Sequence, residues 1–122
     1  MFNNSLPGPV LHTYQDQKIY VRIHNNLPTE TLSVHFHGIR QVETPNSDGI
    51  GRVTQFSILP GSSFLHEFIA VDEGTFWYHS HVHSQTAMGL LGAFIVHPKE
   101  VPTPMTKEFV LVLQDWQHFY TA

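Results

Sequence analysis

No segment of ten or more residues keeps the roughly 3.6-residue period of an amphipathic helix, whereas short segments repeatedly alternate apolar with polar residues. In Lys18–His24, KIYVRIH, the residues Ile19, Val21 and Ile23 fall on one face and Tyr20, Arg22 and His24 on the other. Thr31–His37, TLSVHFH, opposes Leu32, Val34 and Phe36 to Ser33, His35 and His37. Further strands are expected at Val10–Tyr14, Gln55–Ile58, Phe64–Val71, Thr75–His81, Leu90–His97 and Glu108–Leu113. The run LLGAFIVH reads as a strand covered on both faces, because it does not alternate. Turn chemistry separates these segments: Pro7-Gly8-Pro9, Asn25 to Pro28, the Pro/Asn/Ser/Asp/Gly-rich stretch from Gln41 to Gly51, Pro60-Gly61 and Asp72-Glu73-Gly74. Short strands with such punctuation specify an all-β fold, an antiparallel sandwich or barrel.

The chain has 122 residues, enough for one domain with a real core and too few for two ordinary ones. A proline-rich stretch, PKEVPTP, sets the last expected strand apart, and a strand after such a break is expected to open another domain. The expected organisation is therefore one β domain over residues 1–100, with its first edge strand missing, and a linker plus the first strand of a following domain over 101–122. A segment of a longer protein is the expectation.

Charged residues make up only 13% and the net charge is −4, without a basic run, which argues against nucleic acid as a partner. No apolar run approaches the roughly 18 residues of a membrane span, and the start lacks the layout of a signal peptide. There is no cysteine, which excludes disulfides, thiolate metal sites and a cysteine nucleophile in this chain. Asn3-Asn4-Ser5 is a glycosylation triplet, a pattern common by chance.

Ten histidines against six Lys+Arg is the unusual count. Residues i and i+2 of a strand share a face about 7 Å apart, so His35 pairs with His37 and His79 with His81. Metal–imidazole bonds are about 2 Å long, so each pair could converge on one metal or serve two neighbouring ones. A single H-x-H is weak evidence, but two in a chain free of cysteine point to a four-imidazole patch. Such a donor set suits copper, zinc, iron or nickel. His83 lies past the expected strand end and reads as a surface or supporting residue. His12, His24, His66, His97 and His118 match no ligand motif, and His24 and His97 sit beside turns as surface residues would. Phe76, Trp77 and Phe94 read as core.

The strings HFHG (His35–Gly38), DGIGRVTQFSILPGSSF (Asp48–Phe64), GTFWYHSH (Gly74–His81), GLLGAFIV (Gly89–Val96) and EFVLVLQDW (Glu108–Trp116) together resemble the first cupredoxin domain of multicopper oxidases, the family of laccases, ascorbate oxidases and related ferroxidases. The resemblance runs in order from Ser5 to Trp116. It implies a cupredoxin-like Greek-key β-sandwich or barrel. It implies copper, with His35 a ligand of a type 2 copper, His37 of one type 3 copper, and His79 and His81 one to each of two type 3 coppers. It further implies that Asp48 serves proton delivery and that Trp77 and Tyr78 are wall residues. The family's type 1 copper needs a cysteine, so this chain cannot hold one. Half of the eight cluster histidines are expected here and half from the remaining domains of the same oxidase or from a second subunit. Dioxygen and a small reducing substrate are the implied reactants, with a secreted or extracellular location. Two other readings remain: a non-catalytic copper-binding or self-associating cupredoxin-like module, and a zinc hydrolase, for which the crossover helices of a β/α barrel are not found.

Overall fold

The computed structural model describes residues 1–100 and 106–117. His118 and most of the proline-rich linker lie outside the described residues. Among the described residues six strands form in the order β1 (Leu11–Tyr14), β2 (Lys18–His24), β3 (Val34–His37), β4 (Ser63–Ile69), β5 (Gly74–Ser80) and β6 (Leu91–His97), with one 3-10 turn at Pro45–Ser47. They build two sheets, one of four strands in the order β1-β6-β5-β3 and one of two, β2-β4.

The two sheets are joined by aromatic packing. Phe36 of β3, Phe68 of β4 and Phe94 of β6 meet with ring centroids 4.9 to 6.2 Å apart, and all three are fully buried. Burying each such ring is worth on the order of 2 kcal/mol. Ile19, Val21 and Ile23, the apolar face of β2, pack against this cluster from the smaller sheet. Tyr78 enters it from β5, where its hydroxyl donates to the carbonyl of Pro9 at 2.7 Å. A Cβ at Gly92 would lie 2.4 Å from that hydroxyl, so the small residue in β6 makes room for the tyrosine. Burial pushes the Tyr78 phenol up to about 12, and it stays a neutral donor.

Most expected strands form, with ends moved by one to three residues. Three findings differ from expectation. β1 and β6 pair in parallel, so the fold is not wholly antiparallel. Gln55–Ile58 is no strand: the chain turns on the Ile50 carbonyl, which accepts from Val53, Thr54 and Gln55, and only isolated bridges follow. Phe56 is accordingly 94% exposed. Glu108–Leu113 has no ladder partner among the described residues. It lies instead along the outer face of β6, where Val110 to Leu113 face Leu91, Gly92 and Ala93 across a shallow groove. That second cover explains why β6 is apolar on both faces.

Candidate metal centre

β3 and β5 run antiparallel with His35 opposite His79, His37 opposite Trp77, and Phe36 opposite Tyr78. Because Phe36 and Tyr78 point into the core, His35, His37, Trp77 and His79 stand together on the outer face. β5 ends at Ser80, yet the His81 amide donates to the Ser33 carbonyl at 2.8 Å and keeps His81 in line. The four imidazoles form one patch. Ring centroids of His35 lie 5.3, 5.4 and 5.8 Å from those of His37, His79 and His81. Ligand atoms of His35, His37 and His79 all fall within 4.8 Å of one another, while His81 stands at the rim.

Two of the four imidazoles are held by backbone carbonyls. His35 Nδ1 donates to the Asp48 carbonyl at 2.7 Å, which leaves its Nε2 lone pair free for a metal. The Asp48 carboxylate lies 3.3 Å from the same Nδ1. His79 Nδ1 donates to the Ser80 carbonyl at 2.8 Å, and its Nε2 lies 3.2 Å from His37 Nδ1. Two imidazole nitrogens on one tetrahedral ion at about 2 Å would be about 3.3 Å apart, so this spacing already approximates a shared coordination sphere. Burial above all, and then the neighbouring histidines, lower the His79 pKa and favour the neutral imidazole that a metal requires.

Asp48 reaches His35 because its loop is tied down on both sides. Gly49, at φ +86°, lies so close to β3 that a Cβ there would come 1.8 Å from the Val34 carbonyl oxygen. On the other side the Ser47 hydroxyl donates to the Glu67 carbonyl and accepts from the Glu67 amide, both at 2.9 Å. His66 Nδ1 donates to the Ser47 carbonyl at 3.0 Å, and its Nε2 has no partner among the described residues.

A family model described as multicopper oxidase matches residues 1–101. The chain belongs to the multicopper oxidase family. It is 39% identical over 118 residues to an iron transport multicopper oxidase of Gibberella zeae, covering 95% of this chain and 19% of that protein. To an L-ascorbate oxidase of Brassica rapa it is 40% identical over 119 residues, covering 95% and 21%. Among solved structures, the blue copper oxidase from Nitrosomonas europaea superposes with a TM-score of 0.78 at 36% identity, over 82% of this chain and 32% of that one. The chain thus spans about a fifth of the length of these curated relatives. Its fold is the cupredoxin fold of these multicopper oxidases.

Membership of a multicopper oxidase family implies copper, and the donor chemistry fits it: clustered imidazoles, no thiolate and one nearby carboxylate. Whereas Tyr78 lies in the core, Trp77 departs from the core reading and stands instead where the resemblance implies a wall residue: it stacks on the outer face against His79 at 4.2 Å and His37 at 5.0 Å, and it is 37% exposed. Its position two residues before His79 carried that signal in the sequence. Phe94 is core, and Phe76 is half-buried against it. Thr86 was not foreseen: its hydroxyl donates to the Ser80 carbonyl and lies 3.3 Å from His79 Nδ1. His83, at φ +43°, is exposed in the loop after β5.

Proposed function

We propose that this chain is the first cupredoxin domain of a laccase-like multicopper oxidase and supplies four histidines, half of the set, to a trinuclear copper centre that reduces dioxygen to water. The observation that supports this most is the register that sets His35 opposite His79 and so merges the two H-x-H pairs into one patch. On this reading His35 serves a type 2 copper, His37 one type 3 copper, and His79 and His81 one type 3 copper each. Residues 1–100 form the domain, and 101–122 lead to the next. The other four histidines and the cysteine of a type 1 copper come from remaining domains or a second subunit, where a small reducing substrate gives up its electrons. The oxidase is secreted; among the described residues no helix is long and apolar enough to cross a membrane.

Copper supplies the one-electron changes that side chains cannot, and four of them convert O₂ and four protons to two waters. The residues of this chain orient, exclude water and move protons. The Asp48 and Ser80 carbonyls fix the rotation of His35 and His79, so each lone pair is aimed before a metal arrives. Trp77 covers the His79 ring from solvent. The Asp48 carboxylate, a quarter exposed and beside His35, can take a proton from water and present it to the patch.

Cu(II) loading followed by EPR tests the reading. His35→Ala and His81→Ala should each lose bound copper relative to the unaltered chain, and unchanged binding in both rejects the patch. Oxidation of phenols or ascorbate by the chain alone should be negligible, because half the centre and the type 1 copper are elsewhere.

A further inference from the structure

The outer face of the four-stranded sheet carries a second histidine pair at its other edge. β1 and β6 run parallel with His12 beside Ile95 and Tyr14 beside His97, so His12 and His97 share the face that also bears His79. His12 Nδ1 and His97 Nε2 lie 3.0 Å apart, and the two rings are nearly parallel, 8° between planes at a centroid distance of 5.2 Å. The Tyr14 ring backs His97 at 5.4 Å. Glu108 brings a carboxylate oxygen to the same point, and the three ligand atoms lie within 4.8 Å of one another.

We propose that His12, His97 and Glu108 form a binding site for one divalent first-row transition ion, separate from the four-histidine patch. The 3.0 Å between the nitrogens is close to the roughly 3.3 Å bite of two imidazoles on a tetrahedral ion. Without metal one ring donates its N–H to the other. With metal that proton moves to the far nitrogen of the same ring, both facing nitrogens present lone pairs, and no net proton is released. Two neutral imidazoles and one carboxylate, without thiolate, suit Zn(II) or Cu(II), and one negative ligand offsets half of the ion's charge. All three groups are accessible to solvent, so the ion can enter and water can complete its coordination.

Glu108 gives the site a structural consequence. It stands at one end of a segment whose other end bonds the patch loop: Gln114 Nε2 donates to the Thr86 carbonyl at 3.0 Å, and the Gln117 amide to the Ala87 carbonyl at 3.0 Å. Between them Val110 to Leu113 lie over β6. An ion held by His12, His97 and Glu108 pins the Glu108 end of that segment to the sheet.

The experiment is a Zn(II) titration of the full chain in competition with a chromophoric chelator, carried out in a His37→Ala, His81→Ala background that disables the first patch. One zinc should bind in that background. Its affinity should fall at least tenfold on adding His12→Ala, His97→Ala or Glu108→Gln. No zinc binding, or unchanged affinity in any of the three variants, overturns the site. A readout independent of substitution comes from NMR of the unaltered chain. Zinc should shift the ring resonances of His12 and His97 together at one equivalent, and shifts confined to His35, His37, His79 and His81 overturn the proposal. Because the background lacks the patch, failure here leaves the oxidase reading standing, and failure of that reading leaves this one.

Discussion

The four-histidine patch at β3 and β5 and the His12–His97 pair at β1 and β6 occupy opposite edges of one sheet face, and they differ in what fixes them. In the patch, His35 and His79 each spend one nitrogen on a backbone carbonyl, and a buried aromatic core lies directly behind the strands. In the second pair each ring's one hydrogen bond among the described residues is to the other, at the exposed end of a parallel ladder. Both arrangements rest on strand pairing, but in the first the fold also fixes ring rotation, while in the second rotation is left to what binds. Metal affinity at the patch should therefore fall when its supporting carbonyls and core are disturbed, whereas at the pair it should respond chiefly to the three donors.

The largest break in this contrast should come from Gly49→Ala. The new Cβ would sit 1.8 Å from the Val34 carbonyl oxygen at a φ of +86°, so either β3 or the Asp48 loop must move. Backbone clashes of this kind cost about 4 kcal/mol or more. Urea denaturation should show that loss, and His35 should lose its Asp48 carbonyl. Gly61→Ala is the control: φ is +75° but nothing lies within 4 Å of the new Cβ, so only backbone strain of about 1 kcal/mol is expected. Equal costs at the two glycines would mean that the loop is not clamped against β3.

Acid should separate the regions next. Burial lowers the pKa values of both His66 and His79 below the ordinary 6.5. Between the lowered folded value and the ordinary unfolded one, the unfolded chain binds more protons, so stability rises with pH there. That stability is complete above about pH 6.5 and is lost as pH falls through and below it. The urea midpoint should drop from pH 7.5 to pH 5.5. His66→Phe should flatten this slope, because it removes a fully buried ring whose Nε2 has no hydrogen-bond partner among the described residues to stabilise an added proton. An unaltered slope in His66→Phe would move the whole effect onto the patch.

What the sequence made legible follows the range of the interactions. Period-two alternation placed β2 and β3 because a half-buried strand writes its two faces locally, and β6 was legible from its unbroken apolar run. The H-x-H pairs were readable for the same reason, and so was the presence of Asp48 in a turn. Trp77 shows a local signal overridden by habit: an aromatic suggests core, yet its place two residues from His79 puts it on the metal-facing side. The absent strand at Gln55–Ile58 reflects a turn closed on the Ile50 carbonyl, which outcompetes β propensity over so short a run. His12 and His97 were unreadable as partners because 85 residues separate them and only the parallel pairing of β1 with β6 brings them together. The three hydrogen bonds that tie Ser47 to Glu67 and His66 of β4 are non-local too, across 19 or 20 residues.

Thr86→Val should test how far the patch depends on its supports. The change removes the hydroxyl that donates to the Ser80 carbonyl and touches His79 Nδ1 while keeping the side chain's shape. A lost hydrogen bond of this kind costs about 1 kcal/mol. Cu(II) affinity at the patch should fall severalfold with it, since His79 becomes freer to rotate away from its lone-pair aim. Stability lost with copper affinity intact would mean that the Ser80 carbonyl alone orients His79.

The smallest effect should be His12→Ala measured with chelator present. The side chain is exposed, its bond to His97 competes with water on both sides, and no core residue rests on it. Denaturation should shift by less than about 0.5 kcal/mol, the range of surface substitutions that touch no special feature. In the His37→Ala, His81→Ala background the same substitution must still remove the zinc-dependent rise in stability that a folded-state ligand produces by mass action. A pair that contributes nothing to the apo fold yet governs a zinc-dependent rise is held together for its ligand. If His12→Ala instead cost as much as Thr86→Val without metal, the pair would be a structural contact, and the distinction between the two edges of the sheet would disappear.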